Sequence, residues 1–173
     1  EGVSMLRAKL KAMIVIGLLV GLALTIHVAE AQIPMVFPGI KLGLANIITL
    51  MALDLYGWKE ALMVTLLRVG LGAFFTGNAI SFLCSFTGGL LSCLVMIELH
   101  RRFKESVTLP YISIAGAISH NIGQLIVIVL IIQNLYVFLY LPVLLVSGVI
   151  TGYGTGFLAS LLSSRIKQVP GIL

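Results

Sequence analysis

The run Ser119-His120-Asn121-Ile122-Gly123-Gln124 places hydrogen-bonding side chains in the middle of an otherwise apolar segment, residues 109–133. Side chains three and four residues apart share one face of a helix. Polar groups deep in a membrane span are costly and usually functional, so the run predicts a pocket or a helix interface. On a helix, five positions would form one polar or small stripe: Ser113, Ala117, His120, Asn121 and Gln124.

Arg68 is a second candidate, because it is the only strongly basic residue predicted near the middle of an apolar segment. On a helix it shares a face with Ala61, Thr65 and Gly72. A buried guanidinium needs an anion, a carboxylate or several carbonyl oxygens. The predicted mid-membrane sequence contains no acidic residue. We therefore expect either that Glu30 reaches Arg68 or that a ligand or partner supplies the negative group.

The composition identifies the class of protein to which these residues belong. Apolar residues make up 60% of the chain, charged residues 10%, and the mean hydropathy is +1.15. An ordinary soluble domain is about 25% charged. The chain is therefore predicted to be an all-α integral membrane protein surrounded by lipid, with residues 1–173 in one transmembrane domain. The net charge of +5 does not indicate nucleic-acid binding, because the basic residues flank the apolar segments.

Hydropathy predicts a bundle of six transmembrane helices, at about residues 8–28, 41–55, 59–76, 79–98, 109–133 and 139–163. The first span is long and lacks a cleavage site of small residues, so we expect it to be a true span and not a signal peptide. It contains Gly17-x-x-x-Gly21, a spacing that lets helices approach closely, inside the bundle or against a partner. The second span is short for a bilayer core of about 30 Å. It is either partly re-entrant or enclosed by the bundle.

The distribution of basic residues predicts the orientation. Six spans place both termini on the same side of the membrane. The basic N-terminal flank, the Lys59 turn, the Arg101 loop and the C-terminal tail would share that side, and only Lys41 among the loop cations would face the other. The positive-inside rule therefore makes both termini cytoplasmic.

Depth along the predicted helices brings the candidate residues together. Arg68 lies about ten residues beyond Trp58, and His120 about ten beyond Pro110, so both side chains sit roughly 15 Å deep. Asn46 follows soon after Lys41 on a helix that enters from the outside. The sequence therefore predicts a polar pocket in the outer half of the bundle. Its lining would be Asn46, Arg68, His120, Asn121 and Gln124, with Glu30 and Lys41 capping it from the first loop.

Each of these side chains also has a purely structural alternative. The guanidinium of Arg68 would bond the carbonyls at a helix end, and His120 would be a packing residue with satisfied hydrogen bonds. Asn46 would join helices by a hydrogen bond, and Lys41 would be an interfacial anchor. Cys84 and Cys93 are about 13 Å apart along one helix, which is too far for a disulfide between them.

Four motifs carry a resemblance to a known family. They are Pro-Gly-Ile-Lys-Leu-Gly-Leu-Ala-Asn (38–46), Gly-Trp-Lys-Glu-Ala-Leu (57–62), Leu-Leu-Arg (66–68) and His-Asn-Ile-Gly-Gln (120–124). Through them, nearly the whole chain resembles a bacterial membrane family called Gx transporter or heptaprenyl diphosphate synthase component I. That family is similar to the substrate-binding S components of energy-coupling factor (ECF) transporters.

The resemblance implies a multi-pass protein of the bacterial cell membrane that captures a small vitamin-like or anionic molecule from the outer side. S components then topple in the membrane against a transmembrane coupling subunit that is driven by paired ATPases. In that family, an Ala-x-x-x-Ala pattern on the first helix docks the coupling subunit, and Ala8-x-x-x-Ala12 matches it. This chain has no Walker motif, so a partner would have to hydrolyse the ATP.

The second family name implies prenyl synthesis, but the residues argue against catalysis. The usual prenyl diphosphate synthases have Asp-rich clusters that bind magnesium. This chain has only six acidic residues, and no two of them lie close together in a predicted span. Two cysteines on one span and three scattered histidines do not make a metal site. We therefore expect no enzyme activity and no cofactor. The alternatives to a transporter are a non-transporting subunit for isoprenoid, quinone or flavin-linked metabolism or electron transfer, and a structural scaffold.

Overall fold

The computed structural model describes residues 2–32, 43–77, 79–103 and 106–168, and these ranges contain helices and no strand. The prediction of an all-helical protein is confirmed. The helices are α1 (Gly2–Gln32), α2 (Ala45–Leu55), α3 (Trp58–Thr76), α4 (Ala79–Arg102), α5 (Leu109–Ile132) and α6 (Leu141–Lys167). A 3₁₀-helix, Leu135–Tyr140, leads into α6.

Within the described residues, four helical segments are long and apolar enough to cross a membrane: Met13–Glu30, Ala79–Arg102, Leu109–Ile132 and Leu135–Lys167. Their outer faces carry large apolar side chains that a soluble protein would bury. Leu18, Leu130 and Ile150, for example, are 68%, 70% and 68% exposed. These faces match a lipid environment, so the chain is a multi-pass membrane protein.

The remaining two helices differ from those four. Helix α3 has 19 residues, which is about 28 Å and close to the thickness of a bilayer core. It carries three charged residues, Lys59, Glu60 and Arg68. Helix α2 has 11 residues, which is about 16 Å, or about half of the core thickness.

Helix α2 lies at the centre of the bundle. It contacts all five other α-helices, and each of its residues from Ala45 to Leu53 is buried. The other helices surround it in the order α1, α3, α4, α5, α6, and in the described ranges α1 and α6 do not touch each other. The bundle therefore encloses the short second span, which is one of the two arrangements expected from the sequence.

Two features hold the end of α2 in place. The turn into α3 contains Gly57, whose φ of 112° strongly favours glycine. Near this turn, Asp54 pairs with Lys167 at 2.8 Å, with side chains 13% and 48% exposed. The C-terminal end of α2 is therefore fixed to the C-terminal end of α6.

Small residues allow α4, α5 and α6 to pack with their backbones almost in contact. A Cβ added at Gly123 of α5 would stand 2.9 Å from the Cα of Gly88 in α4. A Cβ at Gly152 of α6 would stand 2.7 Å from the Cα of Ile114. Such close approach is how helices gain van der Waals contact in lipid. By contrast, a Cβ at Gly17 would meet nothing within 4 Å in the described residues, so the Gly17 face of α1 is not packed inside the bundle.

Candidate functional site

Five helices of the bundle meet around a small enclosed polar cavity. Its volume is about 10 Å³, which is the room of roughly one water molecule. The residues that line it are His27, Glu30, Gly43, Asn46, Arg68, Ser85 and His120. The structure therefore brings together four of the residues predicted from sequence to form a site: Glu30, Asn46, Arg68 and His120.

Arg68 provides the positive charge of this polar cavity. It is only 3% exposed, and its Nε and Nη2 atoms have no hydrogen-bond partner among the described residues. Its Nη2 atom faces α4, where a Cβ added at Gly89 would stand 3.5 Å away. A buried donor without a partner costs about 1–3 kcal/mol, and more when it is charged. The guanidinium is thus placed to donate hydrogen bonds to an anion.

Glu30 supplies the negative charge beside it. Its carboxylate is close enough to act electrostatically on Arg68, and its Oε1 accepts a hydrogen bond of 2.8 Å from the backbone N–H of Leu44. Leu44 precedes α2, and the N-terminus of a helix is its positive end. Sequence analysis had placed Glu30 in a loop after a helix ending near residue 28, but α1 continues to Gln32. The carboxylate therefore reaches the cavity from a helix.

His27 and Ser85 also line the cavity, and sequence analysis missed both. His27 lies one helical turn before Glu30, and its ring packs over α3, where a Cβ at Gly72 would stand 2.7 Å from its Cδ2. The spacing of His27 and Glu30 was a usable signal, because residues three apart share a helix face. Ser85 belongs to a row of small polar residues at helical spacing on α4.

His120 and Gln124 lie on the face of α5 that packs against α4. A Cβ at Gly88 would stand 3.1 Å from His120 Nδ1 and 3.0 Å from Gln124 Cγ. Although they are only one helical turn apart, the two side chains line different cavities. His120 lines the polar cavity, whereas Gln124 lines a second, apolar cavity between α5 and α6. The structure does not place Gln124 in the pocket predicted around Arg68.

Asn121 is also separated from that pocket, because it lies on the face of α5 that packs against α6. Its Nδ2 donates a hydrogen bond of 2.8 Å to the carbonyl of Leu144. On the same face, the hydroxyls of Ser113 and Thr155 are 2.9 Å apart. Since α5 lies between two neighbours, the predicted polar stripe divides into a face toward α4 and a face toward α6.

We predict that Asn121→Leu lowers the free energy of unfolding by about 1–2 kcal/mol, because it removes a buried hydrogen bond between helices. Reversible unfolding of the purified protein in mixed micelles measures this change. Ile126→Leu, on the exposed side of the same helix, is the control and should leave the unfolding free energy unchanged. If Asn121→Leu instead removed ligand binding with no loss of stability, Asn121 would belong to the binding site.

Three predicted residues cannot be placed. Lys41 lies outside the described residues. Ala8 and Ala12 belong to helix α1, but their side chains lie outside the described part of the structure. The capping role of Lys41 and the docking role of Ala8 and Ala12 therefore stay predictions.

The chain matches one protein family. The model of the family described as heptaprenyl diphosphate synthase component I matches residues 19–162, which is most of the chain. The matched region includes every residue that lines the polar cavity. No curated protein and no solved structure matches the chain.

Proposed function

Since the chain belongs to the heptaprenyl diphosphate synthase component I family, we propose that it is the substrate-binding subunit of an ECF-type uptake system. In this proposal it holds the anionic group of a small, vitamin-like molecule at Arg68. The observation that carries the proposal is the buried guanidinium with two donor atoms that no described residue satisfies. A buried positive charge where five helices meet is better explained by anion binding than by a purely structural role in packing.

The residues around Arg68 have complementary roles in this proposal. The planar guanidinium donates two parallel hydrogen bonds to a carboxylate or phosphate. Asn46 and His120 line the same cavity and give directional hydrogen bonds to other polar atoms of the ligand. His27 and Ser85 extend this set. The chain binds its ligand and does not transform it.

Glu30 gives the cavity a means of opening. With room for about one water, the cavity has to expand before a ligand enters. Glu30 already places a negative group beside Arg68 and the positive end of α2. We propose that the anion of the ligand replaces Glu30 at these positive groups. The hydrogen bond between Glu30 and Leu44 then breaks, and the C-terminal end of α1 separates from the N-terminal end of α2.

The remaining parts of the chain fit a subunit that works with partners. In this proposal six helices cross or enter the membrane with both termini in the cytoplasm, and Lys41 lies near the outer entrance. The coupling subunit docks on α1 through Ala8 and Ala12, and paired ATPases supply the energy. The open surface around Gly17 leaves α1 available for close helix contact. The family's description as a component agrees with a role inside an assembly.

Native mass spectrometry of the protein, purified gently from its own membranes, tests the proposal. We expect a small anionic molecule that is bound to the wild-type protein and absent from the Arg68→Gln variant, together with a coupling subunit and ATPases. A bound quinone, flavin or isoprenoid with a redox or prenyl-transfer partner would replace the proposal with that of a non-transporting subunit.

A further inference from the structure

A second cavity lies between α5, the 3₁₀-helix and α6. Its volume is about 400 Å³, which is within the range of small-molecule pockets. Aliphatic side chains form most of its lining, and the exceptions are Gln124, Tyr136 and Tyr140. None of the described residues that line it is charged. The cavity therefore suits an uncharged and mostly apolar molecule.

Gln124 is the polar group at the inner end of this apolar cavity. Its side chain is 2% exposed, and neither Oε1 nor Nε2 has a hydrogen-bond partner among the described residues. Burying an amide with both atoms unsatisfied is costly. Helix α4 packs against the stem of this side chain at Gly88, which limits its movement. The described residues therefore supply no hydrogen-bond partner for this amide, and a ligand in the cavity would supply one.

The opposite end of the cavity lies among exposed side chains of the 3₁₀-helix. Tyr136 and Leu139 line the cavity and are 78% and 77% exposed. Tyrosine is favoured where apolar and wet surroundings meet. A molecule dissolved in the membrane would enter between these side chains and extend toward Gln124.

We propose that this apolar cavity binds a neutral lipid-like molecule, with an apolar chain between α5 and α6 and one hydroxyl or carbonyl group bonded to the Gln124 amide. Nε2 donates to an oxygen of the ligand, and Oε1 accepts from a hydroxyl when the ligand has one. This site is separate from the anion site at Arg68, because His120 and Gln124 face different cavities one helical turn apart.

Photolabelling in phosphatidylcholine nanodiscs tests this proposal. The probe is a hexadecanol that carries a diazirine on its chain, and the labelled peptides are identified by mass spectrometry. We expect labels in the 3₁₀-helix and at the start of α6. Unlabelled hexadecanol should compete about tenfold better than hexadecane, because only the alcohol bonds to the amide.

Gln124→Met keeps the side-chain length and removes both polar atoms, so it should lower the labelling about tenfold. Gln133→Met makes the same substitution at an exposed position of the same chain and should change nothing. Thermal unfolding of the wild type and both variants shows whether each protein is folded. Hexadecanol should raise the unfolding temperature of the wild type and of Gln133→Met, but not that of Gln124→Met.

Two results would overturn the proposal. One is equal labelling of the wild type and Gln124→Met. The other is equal competition by hexadecane and hexadecanol, which would mean that acyl chains fill the cavity without recognition. Solvent extraction of the native protein distinguishes the sources of the ligand, since a phospholipid would bond through an ester carbonyl and another neutral lipid through its own oxygen. Labelling should persist in Arg68→Gln, so this test is independent of the anion site.

Discussion

Arg68→Gln is expected to weaken retention of the anionic ligand about 100-fold, because it removes the only positive side chain that lines the polar cavity in the described structure. Removing one partner of a buried, hydrogen-bonded charge pair costs about 2–5 kcal/mol, and about 2.8 kcal/mol corresponds to 100-fold in affinity. His120→Ala, which removes a directional partner, is expected to act in the same direction. The fraction of ligand bound after gel filtration in detergent measures both effects.

The Arg68→Gln variant should still insert and fold. In the wild type, two guanidinium nitrogens of Arg68 make no hydrogen bond to a described residue, so the substitution removes no hydrogen bond at these two atoms. Arg101→Gln is the matched control, since Arg101 is exposed at the end of α4, and it should retain the ligand normally. Normal retention by Arg68→Gln and His120→Ala together would remove the assignment of the site.

Gly123→Leu is expected to lower the free energy of unfolding by about 3 kcal/mol or more. This is the upper end of the destabilisation that is typical when a larger side chain is forced into a well-packed site. A Cβ at this position would stand 2.9 Å from the Cα of Gly88 and 3.1 Å from its backbone nitrogen. Backbone atoms cannot rotate away as a flexible side chain would, so α4 and α5 would have to separate. The shift would also move His120 relative to Arg68, and ligand retention should fall with stability.

Unfolding in mixed micelles compares this variant with Gly17→Leu, in which the same substitution meets nothing within 4 Å in the described structure. Gly17→Leu should keep the wild-type midpoint, or exceed it slightly, because glycine is a poor helix former. Equal midpoints for Gly123→Leu and Gly17→Leu would show that the close contact of α4 and α5 does not limit the stability of the bundle.

The sequence contained enough information to predict the helical class and part of the polar cavity. Arg68 and His120 were expected at one depth from the rise per residue alone, and they do line the same cavity. The need of a buried guanidinium for a negative partner pointed to Glu30. Both inferences depend on distance along a helix and on charge, which a sequence contains directly.

The sequence could not predict which neighbour each face of a helix meets. Periodicity placed His120, Asn121 and Gln124 in one arc, but α5 lies between α4 and α6. The arc therefore divides among a polar cavity, an interface and an apolar cavity. His27 was missed for a related reason, because the contact of its ring with α3 depends on the absence of a side chain at Gly72.

The central position and shortness of α2 have an electrical consequence. Its C-terminal end is fixed beside the end of α6 through Asp54 and Lys167, and its 11 residues extend about 16 Å from there. In the orientation proposed here, with the C-terminal end of α2 at the cytoplasmic surface, its N-terminus and Arg68 would lie near the middle of the membrane, where an anion has crossed about half of the transmembrane voltage. The full voltage is worth about 2.3 kcal/mol per charge per 100 mV, so about half of that acts on the bound anion. With the outer-side entry proposed here, an inside-negative potential opposes binding, and the attraction of Arg68 has to exceed it.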